Sequence, residues 1–310
     1  MPNGLLLIDK PVGLRSAECV AHVKRLARKK GENTRVGHAG TLDSTASGLL
    51  VVLLGTATRL SDYVMKLPKV YEATVKLGVS TDTCDASGQV VFRKDAAEIR
   101  ESAFDRVLCS FWGTRLQRPP EISALKIDGK PAHRIAREGT AVDLKPRPVV
   151  VTSAKRCSPL SDGVVRISVA CGKGTYIRAL VRDIGEALGC GACVEELRRL
   201  SIGPFSVHEA RFDCDYADAD VSENLRSLRE VASAFHRVIL TPDAERRLLN
   251  GLCIPMAEAG RYVPGNTELT HGLCVEGENM IGFVDVCLSE GPCGASLLRP
   301  RVNIAAETAK

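Results

Sequence analysis

An uninterrupted apolar run, "LLVVLLG" from Leu49 to Gly55, is the feature that most constrains the fold of this chain. A continuous apolar segment of this length, rich in residues that favour strands, is typical of a β-strand covered on both faces. It follows "VGHAGTLDSTASG", a segment of small residues in which Asp43 is the only acid between Gly37 and Ser61. The sequence therefore predicts a buried strand preceded by a loop with one isolated carboxylate.

Ser16 can cap a helix, and the segment that follows it predicts an amphipathic helix with a cationic surface. Val20, Val23 and Leu26 recur at a spacing of three, and Gly31 is placed to end the helix. Six cations occupy or follow its other faces: Lys24, Arg25, Arg28, Lys29, Lys30 and Arg35. A nucleic-acid backbone is a natural partner for such a surface, and a solvated helix face is the alternative.

Positive charge is concentrated in the larger part of the chain. Residues 241–310 have 6 Lys/Arg and 9 Asp/Glu, which leaves 36 and 28 of the chain's 42 and 37 for residues 1–240. The texture also changes near residue 240, where short apolar pieces begin to alternate with Gly, Pro and Asn. This pattern predicts a small β-rich C-terminal domain.

The segments between these landmarks predict a mixture of strands and helices. "VYEATVKLG" alternates as a half-exposed strand does, with Tyr71 on its apolar side. Asp95 and Glu98 form a capping-box-like start for a helix that stops at Gly113. Next comes "QRPPEISALKIDGKPAHRIAREG", which predicts a Pro- and cation-rich loop followed by a short helix. Two predicted strands, "RPVVVTSAKRC" and "GVVRISVACGKG", and a helix opened by Thr175 come after it. This irregular order predicts an α+β fold.

Motif spacing argues against several chemistries. Neither a G-x-x-x-x-G-K-[ST] loop nor a complete G-x-G-x-x-G loop occurs, so a nucleotide cofactor is unsupported. The six histidines lack metal-ligand spacing, and Cys190–Cys193 is one C-x-x-C without a second pair. No G-x-S-x-G elbow is evident. Asp43, in a loop that a substrate can approach closely, is suited to nucleophilic or base chemistry, although spacing alone leaves a distant second carboxylate open.

The expected location is the cytoplasm. No apolar run is long enough to span a bilayer, and "MPNGLLLIDKP" does not fit a signal peptide. The 12 cysteines are scattered among strand-like and helix-like segments, which predicts reduced thiols in the core. No heptad pattern points to self-association, and a monomer is expected.

Five segments together carry a resemblance to a known family. They are "DKPVGLRS", "VGHAGTLDSTASGLLVVLLGTATRL", "KVYEATVKLGVSTDTCDASGQV", "SALKIDGK" and "GKGTYIRALVRDIGEALGCGACVEELRRLSIGPF". In order and spacing this set resembles the TruB family of tRNA pseudouridine synthases over residues 3–210. The resemblance implies a catalytic domain at residues 1–240, with a mixed and mostly antiparallel sheet flanked by helices and loops. Residues 241–310 resemble, more loosely, the family's small PUA-like RNA-binding domain.

The resemblance also implies a reaction that requires no metal and no nucleotide cofactor. The family converts uridine 55 in the T-loop of tRNA to pseudouridine by breaking the N1–C1′ bond, rotating the base and rejoining it through C5. Asp43 matches the catalytic aspartate; addition to the base, attack at C1′ and removal of the 2′ proton are all open to it. Arg178 matches the arginine that pairs with this aspartate. Tyr71 matches the tyrosine that packs on the target base, and the resemblance implies a catalytic role for it in proton transfer at C5.

Four further residues are assigned to substrate binding through the same motifs. His38 matches the histidine that fills the space vacated by the flipped base, and Leu197 matches a pocket contact to the uracil. Lys10, in the first motif, and Lys126, in "LKIDGK", are the expected cationic contacts, and the helix around Lys24 is expected to lie near RNA phosphates.

Some positions depart from the family pattern. Ser44 replaces the proline that usually follows the aspartate, and Arg15 replaces a threonine in the first motif. Ile122 and His133 replace tyrosines. Because Asp43, Tyr71 and Arg178 are retained, an enzyme is favoured over a non-catalytic T-loop-binding protein or tRNA folding chaperone. The length of the chain and its small C-terminal segment, in which no extended protein-docking tail is visible, favour a stand-alone enzyme without a guide RNA over a guide-dependent relative.

Overall fold

The computed structural model describes residues 3–122, 126–127, 130–131, 144–210, 221–265, 272–288 and 296–305, with only the backbone described for residues 126, 127, 130, 131 and 305. Its strands are β1 Gly4–Lys10, β2 Val36–His38, β3 Ala46–Leu54, β4 Lys69–Leu77, β5 Val79–Thr81, β6 Val90–Arg93, β7 Gly113–Gln117, β8 Lys126–Ile127, β9 Lys130–Pro131, β10 Arg147–Arg156, β11 Val164–Cys171, β12 Ala192–Ile202, β13 Phe205–Ser206, β14 Arg237–Leu240, β15 Ile254–Pro255, β16 Gly260–Val263, β17 Leu273–Glu276, β18 Met280–Leu288 and β19 Ser296–Ala305. Its α-helices are α1 Ser16–Lys29, α2 Ser61–Lys66, α3 Glu101–Cys109, α4 Ile177–Ala187, α5 Leu228–Ala234, α6 Pro242–Leu249 and α7 Met256–Ala259.

The chain divides into two compact units, which are described separately. Unit 1 contains residues 1–44, 48–67 and 201–310, and unit 2 contains residues 45–47 and 68–200. The domain boundary between residues 240 and 241 stays a prediction. Within the ranges given above, no helix is long and apolar enough to cross a membrane.

The buried strand predicted at Leu49 is confirmed in unit 1. β3 pairs antiparallel with β1, from Gly4 opposite Leu54 to Lys10 opposite Gly48, and its C-terminal end also pairs with β2. Eight of its nine residues are buried. Helix α1 packs on β1 and β3 through Cys19, Val23 and Leu26 and so forms one core of this unit.

The predicted bounds of α1 are nearly those observed. The helix ends at Lys29, and Gly31 follows in the left-handed region with φ of 78°. Its start differs by one position, because Arg15 is the N-terminal capping residue and forms a capping box with Glu18. The hydroxyl of Ser16 is therefore available for a different contact, which is described with the site.

The small β-rich C-terminal domain is confirmed as a six-stranded mixed sheet within unit 1. Its strand order is β15-β19-β18-β17-β14-β16, with β14 and β17 parallel. Helices α6 and α7 contribute Leu248 and Ala259 to its core. Phe283 of this sheet stacks on Tyr63 of α2, with ring centroids 3.6 Å apart. The C-terminal sheet and the N-terminal strands thus share one unit.

Unit 2 is built on a sheet with strand order β12-β4-β11-β10-β7. The pairs β4–β11, β10–β11 and β7–β10 are antiparallel, with Tyr71 opposite Val169. The buried positions of β4 alternate as predicted, with Ala73, Val75 and Leu77 in the core. Helices α3 and α4 cover this sheet, so the predicted α+β fold is confirmed.

One helix was placed wrongly by the sequence. A start at Asp95 is incorrect, because its carboxylate accepts the backbone N–H of Ala97 in a turn at 2.9 Å, and α3 begins at Glu101. The helix ends at Cys109, and the chain turns through Gly113 (φ 93°) into β7. The other predicted helix starts at Ile177, two residues after Thr175. The short helix predicted to follow the Pro- and cation-rich loop lies outside the described residues.

Candidate active site

The backbone on both sides of Asp43 is held by the turn that precedes α1. The hydroxyl of Ser16 donates to the carbonyl of Leu42 at 2.8 Å and accepts the N–H of Leu42 at 2.9 Å. On the other side, the N–H of Gly13 donates to the carbonyl of Ser44 at 2.7 Å. Asp43 itself is half-buried. The first and second sequence motifs therefore form one hydrogen-bonded structure within unit 1.

These contacts bear on the replacement of the family's proline by Ser44. A proline restricts the backbone through its ring, whereas here Ser44 is fixed through its carbonyl by Gly13. The other departure nearby, Arg15, forms a salt bridge of 2.6 Å with Glu18 and caps α1. At both positions the residue that is present takes part in bonds that hold the backbone: Ser44 through its hydrogen bond with Gly13, and Arg15 through its salt bridge with Glu18.

Lys10 is buried rather than exposed toward a ligand. Its side chain has no accessible surface, and its ammonium donates to the carbonyls of Pro11 and Leu14, both at 2.8 Å. Those bonds hold the turn that also contacts Ser44. A direct contact between Lys10 and substrate stays a prediction, and the observed bonds give this lysine a role in shaping the turn.

His38 ends β2, opposite Val52 of β3, and is half-buried. The hydroxyl of Ser61, the first residue of α2, contacts the His38 carbonyl at 3.4 Å. Lys10, His38 and Asp43 are therefore all held by the β1–β3 part of unit 1. The side chain of Lys126 and all of His133 lie outside the described residues.

In unit 2, Arg178 lies in the first turn of α4 with only 5% of its surface exposed. Its guanidinium donates to the carbonyl of Thr83 at 2.8 Å and to that of Ile122 at 3.1 Å. It also lies 3.7 Å from the carboxylate of Asp85. A buried guanidinium needs such acceptors, so Arg178 has a fixed orientation. The departure at Ile122 affects only the side chain, because the contact is made by its carbonyl.

Asp85 is a site residue that the sequence analysis missed. Its carboxylate accepts hydrogen bonds from the hydroxyl of Thr83 at 2.7 Å and the N–H of Ser87 at 3.1 Å, and Thr45 approaches its second oxygen at 3.3 Å. Its exposure is 5%. The available signal was the acid inside the hydroxyl-rich turn "TDTCDASG", since Asp, Ser and Thr side chains organise such turns.

Tyr71 and Leu197 both pack against the core of unit 2 while remaining partly exposed. Tyr71 stands on β4 and Leu197 on β12, two strands that are neighbours in the sheet. The structure thus holds Tyr71, Arg178 and Leu197 in unit 2, and Lys10, His38 and Asp43 in unit 1. The pairing of Asp43 with Arg178 stays a prediction.

Two cations near Tyr71 are unexpectedly buried. Lys69, two residues before Tyr71 on β4, is 6% exposed, and Arg199, two residues after Leu197 on β12, is 1% exposed. Burial, reinforced by Arg199, lowers the pKa of Lys69 to about 8. Burial likewise raises the pKa of the Cys171 thiol, which is paired opposite Lys69, to about 11.

The C-x-x-C cysteines lie in the core. Cys190 and Cys193 are 1% and 4% exposed, and burial raises the pKa of both thiols. A high pKa and poor access make a thiol unreactive. In the part of the chain that the structure describes, no group of three or more His, Cys, Asp or Glu residues is arranged to hold a metal ion.

Comparison with family models gives a match over most of the chain. Residues 24–177 match the N-terminal domain of TruB family pseudouridylate synthase. Residues 178–242 match the C-terminal domain of tRNA pseudouridylate synthase B. Both ranges contain site residues: Asp43 and Tyr71 fall in the first, and Arg178 and Leu197 in the second.

Curated relatives are similar over more than four fifths of this chain and of their own length. A tRNA pseudouridine synthase B of Thermobifida fusca is 41% identical over 259 residues, covering 81% of this chain and 86% of the relative. One of Geobacter sulfurreducens is 38% identical over 276 residues, covering 86% and 89%.

Solved structures share the fold at lower identity. A Cbf5–Nop10–Gar1 complex contains a chain with a TM-score of 0.71 and 23% identity, covering 97% of this chain and 84% of that chain. An H/ACA ribonucleoprotein bound to a substrate RNA containing 2′-deoxyuridine gives a TM-score of 0.66 and 22% identity, covering 90% and 77%. These two similarities concern the fold alone.

Proposed function

The chain belongs to the TruB family of pseudouridylate synthases, and on that premise we propose that it isomerises uridine 55 in the T-arm of tRNA to pseudouridine. The observation that carries the proposal is the identity of 38–41% to tRNA pseudouridine synthase B relatives over more than four fifths of the chain. The reaction is an isomerisation: the N1–C1′ bond breaks, the base turns, and a C5–C1′ bond forms.

The target base is stacked in the folded loop and must be extruded before the reaction, at a cost of a few kcal/mol. His38 fills the space that the base leaves, while Leu197 contacts the flipped uracil and Tyr71 packs against it. His38 in unit 1 and Tyr71 in unit 2 are each half-buried, so each keeps some surface for contact with a base.

Asp43 supplies the reactive carboxylate, and Arg178 is the arginine that pairs with it. Two sets of contacts support these roles. The backbone beside Asp43 is held by Ser16 and Gly13. The guanidinium of Arg178 is oriented by Thr83 and Asp85, so its charge is held in place before substrate binds.

The proposal includes the conditions under which the protein works. The enzyme acts in the cytoplasm as a monomer, on tRNA, without a guide RNA, a metal or a cofactor. The absence of a guide is supported by the identity of 38–41% to relatives named tRNA pseudouridine synthase B.

The test uses purified protein and an unmodified tRNA transcript, with no guide RNA and with EDTA present. Chemical mapping is expected to find pseudouridine at position 55 with wild-type protein. Asp43→Ala and Asp43→Asn are expected to abolish the product while tRNA affinity stays within about tenfold, because each removes the reactive carboxylate and leaves the RNA-binding surface unchanged.

Asp62→Asn is the matched control, since Asp62 is the next acid along the chain and is exposed; it is expected to retain activity. Product formed by Asp43→Ala would refute the assignment of Asp43. Tight tRNA binding by wild-type protein with no product would instead favour the RNA-binding or chaperone alternative, and product only after a guide RNA is added would favour a ribonucleoprotein enzyme.

A further inference from the structure

A buried glutamine of unit 2 joins the end of β7 to the start of α4. Gln117 is the last residue of β7 and is 2% exposed. Its side-chain oxygen accepts the backbone N–H of Tyr176 at 2.9 Å, and its side-chain nitrogen donates to the carbonyl of the same residue at 3.1 Å. Because the backbone supplies one fixed donor and one fixed acceptor, these two bonds define the orientation of the amide group.

Tyr176 is the N-terminal capping residue of α4. Tyrosine is not among the residues whose short side chains cap helices, and Ala179, three positions further on, cannot complete a capping box as Glu or Gln would. A capping box binds the N–H of the capping residue from within the helix. Here Gln117 binds that N–H from another element, 59 positions away in the sequence, so the start of α4 is fixed by a tertiary contact.

The turn that Gln117 holds carries Arg178, two residues after Tyr176. A cation in the first turn of a helix is opposed by the helix dipole, whose positive end lies there. Arg178 is also buried, with 5% exposure, so its place depends on the acceptors around it, which include the carbonyls of Thr83 and Ile122. An arrangement that local preferences oppose is expected where function requires it.

The segment that follows β7 is bonded to the same helix at two further points. The carbonyl of Arg118 accepts a hydrogen bond from Arg182 at 2.9 Å, and the carbonyl of Ile122 accepts one from Arg178 at 3.1 Å. Both of these contacts are made by long arginine side chains of α4. The contact of Gln117, in contrast, is made with the backbone of the capping residue, so it holds the helix start itself.

We propose that Gln117 is a positioning residue for pseudouridine formation: it holds the first turn of α4 and thereby the guanidinium of Arg178. This inference rests on the proposed function, because that function gives Arg178 its role. With 2% exposure, Gln117 acts through α4 and not by touching the RNA. A displacement of about 1 Å in a reacting site can lower a rate by about a hundredfold, so the loss of both bonds should appear in kcat.

The first test is Gln117→Met, which keeps the length of the side chain and removes its donor. On an unmodified tRNA transcript, kcat is expected to fall by about tenfold to a hundredfold while the Kd for tRNA stays within about threefold of wild type. The control is Arg156→Met, which removes the ion pairs with Glu101 and Asp105 at the opposite end of β10 from Arg147, the residue paired with Gln117. This control should lower the urea midpoint and leave kcat unchanged. A kcat that falls no further in Gln117→Met than in Arg156→Met would overturn the proposal.

A second variant, Gln117→Glu, has the same shape and carries the test should Gln117→Met fail to fold. A neutral carboxyl group reproduces both bonds, since its O–H donates and its carbonyl accepts, whereas a carboxylate only accepts and would face the carbonyl of Tyr176. Burial raises the pKa of a carboxyl group, which brings this change of state toward neutral pH. The ratio of kcat for Gln117→Glu to kcat for wild type should therefore rise at least about threefold between about pH 8 and about pH 5.5. A ratio that does not change with pH would overturn the proposal.

Amide hydrogen exchange separates this proposal from the proposed function. The N–H of Tyr176 should exchange faster in Gln117→Met than in wild type, whereas the N–H of Leu188, bonded to the carbonyl of Ile184 at the other end of α4, should not. Unchanged exchange at Tyr176 would overturn the proposal without any assay of the reaction. A wild-type protein that forms no pseudouridine would refute the proposed function, and product from wild type with an undiminished kcat in Gln117→Met would refute the positioning role alone.

Discussion

At the scale of single residues, the main finding is how the backbone around Asp43 is held. Ser16 makes two hydrogen bonds with Leu42, and its side chain is nearly inaccessible, with 3% exposure. Polar backbone groups that are buried without partners cost about 1–3 kcal/mol each. The Ser16 hydroxyl therefore positions Asp43 through its neighbour and does not itself need to touch the substrate.

We predict that Ser16→Ala lowers kcat for pseudouridine formation by about tenfold to a hundredfold, since small displacements of a reacting group have effects of this size. KM should change by less than about threefold. Ser16→Thr should restore most of kcat, because it restores the hydroxyl. Ser110→Ala removes a comparable hydroxyl-to-carbonyl bond, to Val107 in α3, and should leave both constants unchanged. An Ala variant that raises KM alone would contradict the positioning role.

From the sequence, a candidate site residue could be recognised only where it stood in an unusual local pattern. Asp43 stood out as the one acid in a loop of small residues. Ser16 was interpreted as a helix cap, because the pattern after it gives no sign of a bond to Leu42, 26 positions away. Asp85 was missed for the same reason: its contact with Arg178 joins distant segments, and such contacts leave no local periodicity.

At the scale of elements, the turn between α4 and β12 shows a close approach that only glycine permits. A Cβ on Gly185 would lie 2.2 Å from the backbone nitrogen of Ala192 and 2.4 Å from the carbonyl carbon of Gly191. The carbonyl of Gly185 also accepts the N–H groups of Cys190 and Gly191. The helix that presents Arg178 is thus packed directly against the turn into the strand that presents Leu197.

Gly185→Ala is therefore predicted to destabilise the protein, although the same change at an exposed helical position gains about 0.5–1 kcal/mol. Overpacking against backbone atoms costs about 1–3 kcal/mol, which should appear as a lower urea midpoint. Glu186→Ala, at the next and exposed position, should change the free energy of unfolding by less than about 0.5 kcal/mol. A Gly185→Ala protein at least as stable as wild type would show that the turn relaxes.

Elements with strong periodicity were predicted well. β3, β4 and α1 have one dominant pattern each, and their predicted and observed ranges agree closely. The start of α3 was misplaced because Asp95 fits both a helix cap and a turn, and the tertiary structure selected the turn. The sequence predicts no strand over β12, because "ACVEELRRLSI" mixes charged and apolar residues with no clear alternation.

At the scale of the whole molecule, buried cations make stability depend on pH, and Lys69 provides the test. Its pKa is lowered to about 8 by burial and by Arg199, while the unfolded chain titrates near 10.5. Between these two pKa values the unfolded state binds more protons than the folded state, so the free energy of unfolding rises with pH. Below pH 8 both states carry the proton, and the full cost of burying the charged lysine remains. Relative to Lys69→Met, the free energy of unfolding of wild type should rise by up to about 2 kcal/mol between pH 8 and 9.5, at 1.36 kcal/mol per pH unit, as measured by urea titrations.

Cys171 is present in both proteins, so its raised pKa largely cancels from the comparison. The exposed Lys155→Met control should show no such pH-dependent difference. A constant difference between wild type and Lys69→Met would mean that Lys69 titrates as an ordinary lysine.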